Sequence, residues 1–103
     1  MNIQAMLKQA QALQAKVTQV QEELKTREMV GASGGGKVKV TMNGAQEVVS
    51  ISIDPEVVNP DEADLLEDLV LTAIRDARGK ITRLIEEEMG RVTGGMGLPP
   101  GLL

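Results

Sequence analysis

Gly34-Gly35-Gly36-Lys37-Val38-Lys39-Val40-Thr41-Met42-Asn43-Gly44-Ala45-Gln46-Glu47-Val48-Val49-Ser50-Ile51-Ser52-Ile53-Asp54, in the middle of a 103-residue chain, decides the fold. Val38, Val40 and Met42 alternate with Lys37, Lys39 and Thr41, and Val49, Ile51 and Ile53 alternate with Val48, Ser50 and Ser52. A strand sends successive side chains to opposite faces, so each run has one apolar and one wet face. Asn43-Gly44 between the runs predicts the positive backbone angles of a two-residue type I′ hairpin turn. Such a hairpin is marginal alone. The two long flanking segments are its predicted cover.

Upstream, Ile3, Met6, Ala10, Leu13, Val17, Val20 and Leu24 recur at spacings of three and four, the seam of one helix over 2–24. Gln4, Lys8, Gln11 and Gln19 point away from that seam, Lys16 lies on its flank, and the first twenty residues hold no acid. At ~1.5 Å per residue this helix is roughly 35 Å long, whereas a seven-residue strand covers only ~23 Å. The helix therefore overhangs the sheet, and a second copy of the chain is the economical cover for the rest of its seam. Glu28, Val30 and Ala32 alternate with Arg27, Met29 and Gly31 as a first, edge-type strand that ends at Gly34-Gly35-Gly36.

Downstream, Asn59-Pro60-Asp61-Glu62 reads as N-cap, first helical proline and capping box. The stripe Leu66, Leu69, Val70, Ala73, Ile74, Ala77, Ile81, Leu84, Ile85 and Met89 predicts a second helix over 60–89, with Gly90 as its C-terminal cap. Gly79 within it marks a bend or a close backbone approach. The expected organisation is one domain over 1–90 followed by a flexible Gly/Pro-rich tail over 91–103. The fold class is α+β: helix, three antiparallel strands, helix, in two layers.

Composition sharpens this. The chain has no Phe, Tyr or Trp, so its core is built from Val, Ile, Leu, Ala and six Met, a composition that favours self-association as extra burial. With no Cys and no His it lacks a disulfide frame, a thiolate nucleophile and a base that titrates near neutrality. No run approaches the ~18 apolar residues of a membrane span and the N-terminus has no signal-peptide pattern, so a soluble cytoplasmic protein is expected. The formal charge of −4 conceals segregation: residues 47–68 hold eight acids and no base, while residues 1–46 hold six Lys/Arg against three acids. Arg75, Arg78, Lys80 and Arg83 face only Asp76 within residues 69–85.

Gly31-Ala32-Ser33-Gly34-Gly35-Gly36-Lys37 spells G-x-x-x-x-G-K, but Val38 stands where a P-loop needs Ser/Thr, and a strand follows instead of a helix. A strand connector is the better reading. The acids of 54–68 suit turns and a helix start and lack a calcium-loop pattern. No enzyme, cofactor, metal or small-molecule substrate is expected. Lys8 with Gln4 and Gln11 offers charge plus amide donors, the residue types that grip a sugar-phosphate backbone, and the cations of 75–83 offer a second set. From the residues alone, solvated cations and plain helical oligomerisation remain open beside DNA binding. The missing aromatics direct any nucleic-acid reading to duplex DNA, because single-strand binders stack bases on rings.

Met6-Leu7-Lys8-Gln9-Ala10-Gln11, Gln21-Glu22-Glu23-Leu24, Gly36 through Gly44, Ile53-Asp54-Pro55, Leu66-Glu67-Asp68-Leu69-Val70 and Gly94 through Gly101 together resemble the YbaB/EbfC nucleoid-associated proteins, in order over nearly the whole chain. The resemblance implies a tweezer-like homodimer joined through the sheet region, with long protruding helices that contact double-stranded DNA. It also implies a bacterial, nucleoid-located protein active in nucleoid organisation, gene regulation or DNA repair. On this reading Gln4, Lys8, Gln11, Lys16, Arg78, Lys80 and Arg83 are the expected DNA-binding residues, with weak sequence preference. A chaperone or scaffold that clamps polypeptides between helical arms is the rival, and the polar outer face of residues 4–19 speaks against it.

Overall fold

The structure, a computed structural model, describes residues 2–95. Its elements are α1 (Ile3–Leu24), β1 (Glu28–Ser33), β2 (Val38–Asn43), β3 (Val48–Ile53) and α2 (Ala63–Gly95), with short 3-10 turns at Gly34–Gly36, Pro55–Val57 and Pro60–Glu62. The α+β class and the element order are those expected. The sheet is antiparallel in the order β1-β2-β3, so β1 is an edge strand as its position predicted. The radius of gyration is 19.4 Å, against about 13 Å for a compact chain of this length. The molecule is a rod of 71 × 20 × 16 Å.

Two parts make up the rod. In the hub, α2 lies over β1 and β2, and Val38, Val40, Met42, Ala73, Ala77 and Ile81 form a fully buried core. Gly31 sets this packing, because a Cβ there would overlap the backbone of Ala73 and Ala77. Small residues on both sides let strand and helix touch main chain to main chain. In the arm, α1 packs on the far half of α2 through Val17, Val20, Leu24 and Val92. Among the described residues only α2 covers the sheet; the expectation that both flanking helices would do so is corrected. Outer strands of a three-stranded sheet lie ~10 Å apart, close to one helix diameter, and α1 spends its seam on α2 instead.

Several local readings change. Asn43-Gly44 does not form a type I′ turn: Gln46 N–H donates to the Asn43 carbonyl at 2.9 Å, and Gln46 holds the left-handed angle, with φ 62°. Asn43 Oδ1 accepts from the N–H groups of Ala45 and Glu47, which fastens this longer loop. Gly44 serves close approach instead, since a Cβ there would strike the Leu24 carbonyl, while its N–H donates to the Arg27 carbonyl at 3.0 Å. A bulge at Thr41/Met42 pairs Met42 with Val48, which breaks the expected Val49-Ile51-Ile53 face, and β3 is exposed along its length. Asn59 caps as expected, accepting from the Asp61 N–H at 3.0 Å, but a 3-10 turn over Pro60–Glu62 precedes α2.

Gly90 does not end α2. The helix continues to Gly95 because Val92 and Thr93 bury against the arm, and Thr93 Oγ1 bonds back to the carbonyls of Met89 and Gly90. Burying a Val contributes about 1.5–3 kcal/mol, more than the ~1 kcal/mol that a helical Gly costs. Residues 91–95 of the expected tail are thus helical; 96–103 lie outside the described residues. Gly79 sits in open space, so no close approach explains it.

Candidate nucleic-acid interface

The arm presents α1 outward for most of its length. Asn2 starts the helix, its Oδ1 accepting from the Ala5 N–H at 3.2 Å. Gln4, Lys8, Gln11 and Lys16 are all exposed. Among the described residues neither Lys8 nor Lys16 has an acid within ion-pair distance, and the helix carries none before Glu22. The two lysines lie about 12 Å apart along the axis and within about 80° of each other around it. This is a cationic, amide-bearing face on a projecting rod.

The α2 cations do not form one surface. Arg78 and Arg83 are exposed but lie about 140° apart around the helix. Lys80 is engaged: its Nζ donates to the Val30 carbonyl at 2.9 Å and pairs with Asp76 at 3.2 Å. Asp76 in turn accepts the Ala32 N–H at 2.9 Å. That amide bond and the Lys80 ammonium hold the Asp76 carboxyl below its ordinary value of 3.8. Together the two side chains satisfy groups on the open edge of β1, and that occupation blocks the edge against added strands. Lys80 and Arg83 border a shallow recess of about 160 Å³ with Met29, Leu84 and Glu87. The Asp76/Lys80 spacing of four residues was the sequence signal for an occupied lysine.

The arm portion of α2 is acidic. Glu86 and Glu87 are exposed, and Arg91 pairs with Glu88 at 3.0 Å. Positive charge on the arm therefore comes from α1. Arg27 and Lys39, which the sequence reading did not single out, and Arg75, which it placed in the second set of cations but not among the expected DNA-binding residues, are also exposed without an ion-pair partner among the described residues. Lys37 pairs with Glu56. Gly34, Gly35 and Gly36, with φ of 60°, 67° and 92°, form a turn that leads straight into β2, so the G-x-x-x-x-G-K stretch is a strand connector. Among the described residues no group of acids is arranged to hold a metal, and no helix is long and apolar enough to cross a membrane.

On the flank of the hub opposite the β1 edge, β3 is left uncovered by α2. Ile51 and Ile53 are exposed, and a groove of about 550 Å³ runs between Ile53 and Ala63, Leu66, Glu67, Val70, Leu71 and Ile74. Its walls are almost wholly apolar.

The sequence pattern of the YbaB/EbfC DNA-binding family matches residues 1–96. A nucleoid-associated protein of Nitrobacter winogradskyi is 53% identical over 97 residues, covering 94% of this chain and 92% of its own. One of Rhodospirillum rubrum is 46% identical over 101 residues, covering 98% and 94%. Among solved structures, the crystal structure of the uncharacterized protein HP0035 from Helicobacter pylori superposes with a TM-score of 0.69, at 22% identity over 93% of this chain and 97% of that one. That likeness is one of fold.

Proposed function

Because this chain belongs to the YbaB/EbfC DNA-binding family, we propose that it binds double-stranded DNA as a homodimer, mainly through backbone phosphates and with low sequence specificity. The observation that carries this reading is the acid-free outer face of α1, where Lys8 and Lys16 have no ion-pair partner among the described residues, on a rod projecting from the hub. A duplex presents one negative charge per ~1.7 Å of axis, so a row of cations finds phosphates wherever it lands. Gln4 and Gln11 add hydrogen bonds along that face. Arg78 and Arg83 extend the contact on separate flanks of α2, whereas Lys80 stays committed to the β1 edge. Base-edge readout needs several donors gathered at one groove, and the exposed cations are spread along the molecule. The role belongs at the nucleoid of the bacterial cytoplasm, in its organisation, in gene regulation or in DNA repair.

The homodimer rests on the groove beside β3. Exposed Ile51 and Ile53 together with Leu71 make an apolar patch of a kind that a soluble chain covers, and a second copy supplies the complementary apolar side chains. With the β1 edge occupied by Asp76 and Lys80, β3 is the side from which assembly proceeds. Pairing there directs two arms away from a common hub.

Fluorescence anisotropy on two unrelated duplexes and one single strand, with sedimentation for mass, tests this. Equal affinity for both duplexes, weaker binding of the single strand and a dimeric mass are expected. Binding to one duplex alone, or a stable monomer at low micromolar concentration, would overturn it. The bare apolar end of α1 is the observation that suits a polypeptide clamp instead; suppressed client aggregation without any DNA binding would favour that reading.

A further inference from the structure

The two ends of the rod differ in charge, and each exposes apolar side chains. α2 passes Ser33, Ala32 and Val30 in turn before it leaves the sheet, so its start lies at the end of the hub away from the arm. α1 ends where β1 begins, at the edge where α2 leaves the sheet, and the two helices run antiparallel beyond it. From Leu24 to Ile3, α1 extends about 33 Å, whereas α2 from Leu84 to Gly95 extends only about 17 Å. Some 16 Å of α1 therefore projects past Gly95. On this tip Ile3, Met6 and Leu7 are 67%, 54% and 57% exposed, Ala10 is exposed as well, and no acid precedes Glu22. Their spacing of i, i+3, i+4 and i+7 puts all four on one side of the helix. At the start of α2, Leu65 is 51% exposed beside half-buried Leu69. Asp61 and Glu62 stand about one turn before Leu65 and Asp68 about one turn after it. All three acids are exposed and have no ion-pair partner among the described residues.

We propose that the α1 tip of one molecule docks on the acidic shoulder around Leu65 of a second copy, end to end and separately from the β3 groove. Charge selects this pairing from the three that two ends allow. Tip on tip brings together two acid-free helices that each carry Lys8 and Lys16. Shoulder on shoulder brings together two stretches from residues 47–68, each with eight acids and no base. Only tip on shoulder sets opposite charges around an apolar contact. Lys8 lies about 160° around α1 from Met6, so a docked tip leaves it open to phosphate. Its charge still favours the shoulder, because one helix diameter is about one screening length at 0.1 M salt. A contact of so few side chains falls well below the ~1,000 Å² of a stable interface. It is therefore weak and salt-sensitive, and it acts where copies are crowded together. The two patches are different surfaces, so the contact is heterologous and adds copies in a line.

Sedimentation of the full-length protein without DNA, at about 50 mM salt where surface charges are weakly screened, tests this by complementation. Met6→Glu/Leu7→Glu disables the tip and Leu65→Lys the shoulder; all three positions are exposed, and Glu and Lys are good helix formers. The parent is expected to gain mass with concentration and to lose that gain at high salt. Each variant alone is expected to stay at its smallest unit, whose mass reports separately on the β3-side homodimer. An equimolar mixture regains the association, because one variant keeps its tip and the other its shoulder. A parent that never exceeds its smallest unit, a variant that associates as the parent does, or a mixture no heavier than its parts would overturn the proposal. As a second measurement, the chain has no cysteine of its own, so Leu7→Cys and Leu65→Cys proteins can be mixed and mildly oxidised. The mixed disulfide is expected to exceed either like-with-like product by about tenfold; a statistical mixture would overturn the proposal.

Discussion

Hub and arm are built from the same aliphatic residues, yet they are held in different ways. In the hub, Val38, Val40, Met42, Ala73, Ala77 and Ile81 are all 0% exposed, whereas the best covered residue of the arm, Leu24, keeps 4% and its neighbours Val17 and Val20 keep 8%. A sheet with a helix laid on it encloses side chains from several directions; two antiparallel helices share one seam and leave the rest of each surface to water. The hub therefore carries the global stability, and the arm opens at lower free energy.

The sharpest break in the comparison is at Gly31. Gly31→Val drives a side chain into the backbone of Ala73 and Ala77, and urea denaturation is expected to show a loss of about 3 kcal/mol or more. The hub core comes next: Ile81→Ala is expected to cost about 2–5 kcal/mol, while Val17→Ala in the arm costs about 1–2 kcal/mol. Equal losses at the two sites would deny the hub its leading role. Gly79 faces open space in mid-helix, so Gly79→Ala is expected to raise stability by up to about 1 kcal/mol.

A pH effect distinguishes the β1 edge from the rest of the hub. Asp76 is held below its ordinary value of 3.8 by the Ala32 amide, then by Lys80. Its folded-state preference for the charged form stabilises the protein fully above that value and is lost as pH falls through the lower folded value. Asp76→Asn is therefore expected to lower the melting temperature at pH 7 and to match the parent at strongly acid pH. A deficit that persists unchanged in acid would assign the effect to packing alone.

Much of this architecture was legible beforehand, for a physical reason. The alternation of Val38, Val40 and Met42 and the seam from Ile3 to Leu24 are local periodicities, and a one-residue slip in either would turn the apolar face to water. What was not legible depends on contacts distant in sequence. Gly44 looked like a turn residue, but its lack of a side chain answers to the Leu24 carbonyl; Gly90 looked like a helix end, but Val92 carries the helix onward to meet α1. The candidate site divides likewise. Lys8 and Lys16 could be picked out because no acid precedes Glu22, whereas the engagement of Lys80 depends on the Val30 carbonyl, fifty residues away.

The arm's charge is tested most directly by the salt dependence of duplex binding for the parent and for Lys8→Ala/Lys16→Ala. Plotted as log affinity against log salt, the variant is expected to bind more weakly and to have a slope shallower by about 0.9 for each phosphate it no longer neutralises. Parent affinity with an unchanged slope would contradict the account, because DNA would then be held by some other surface.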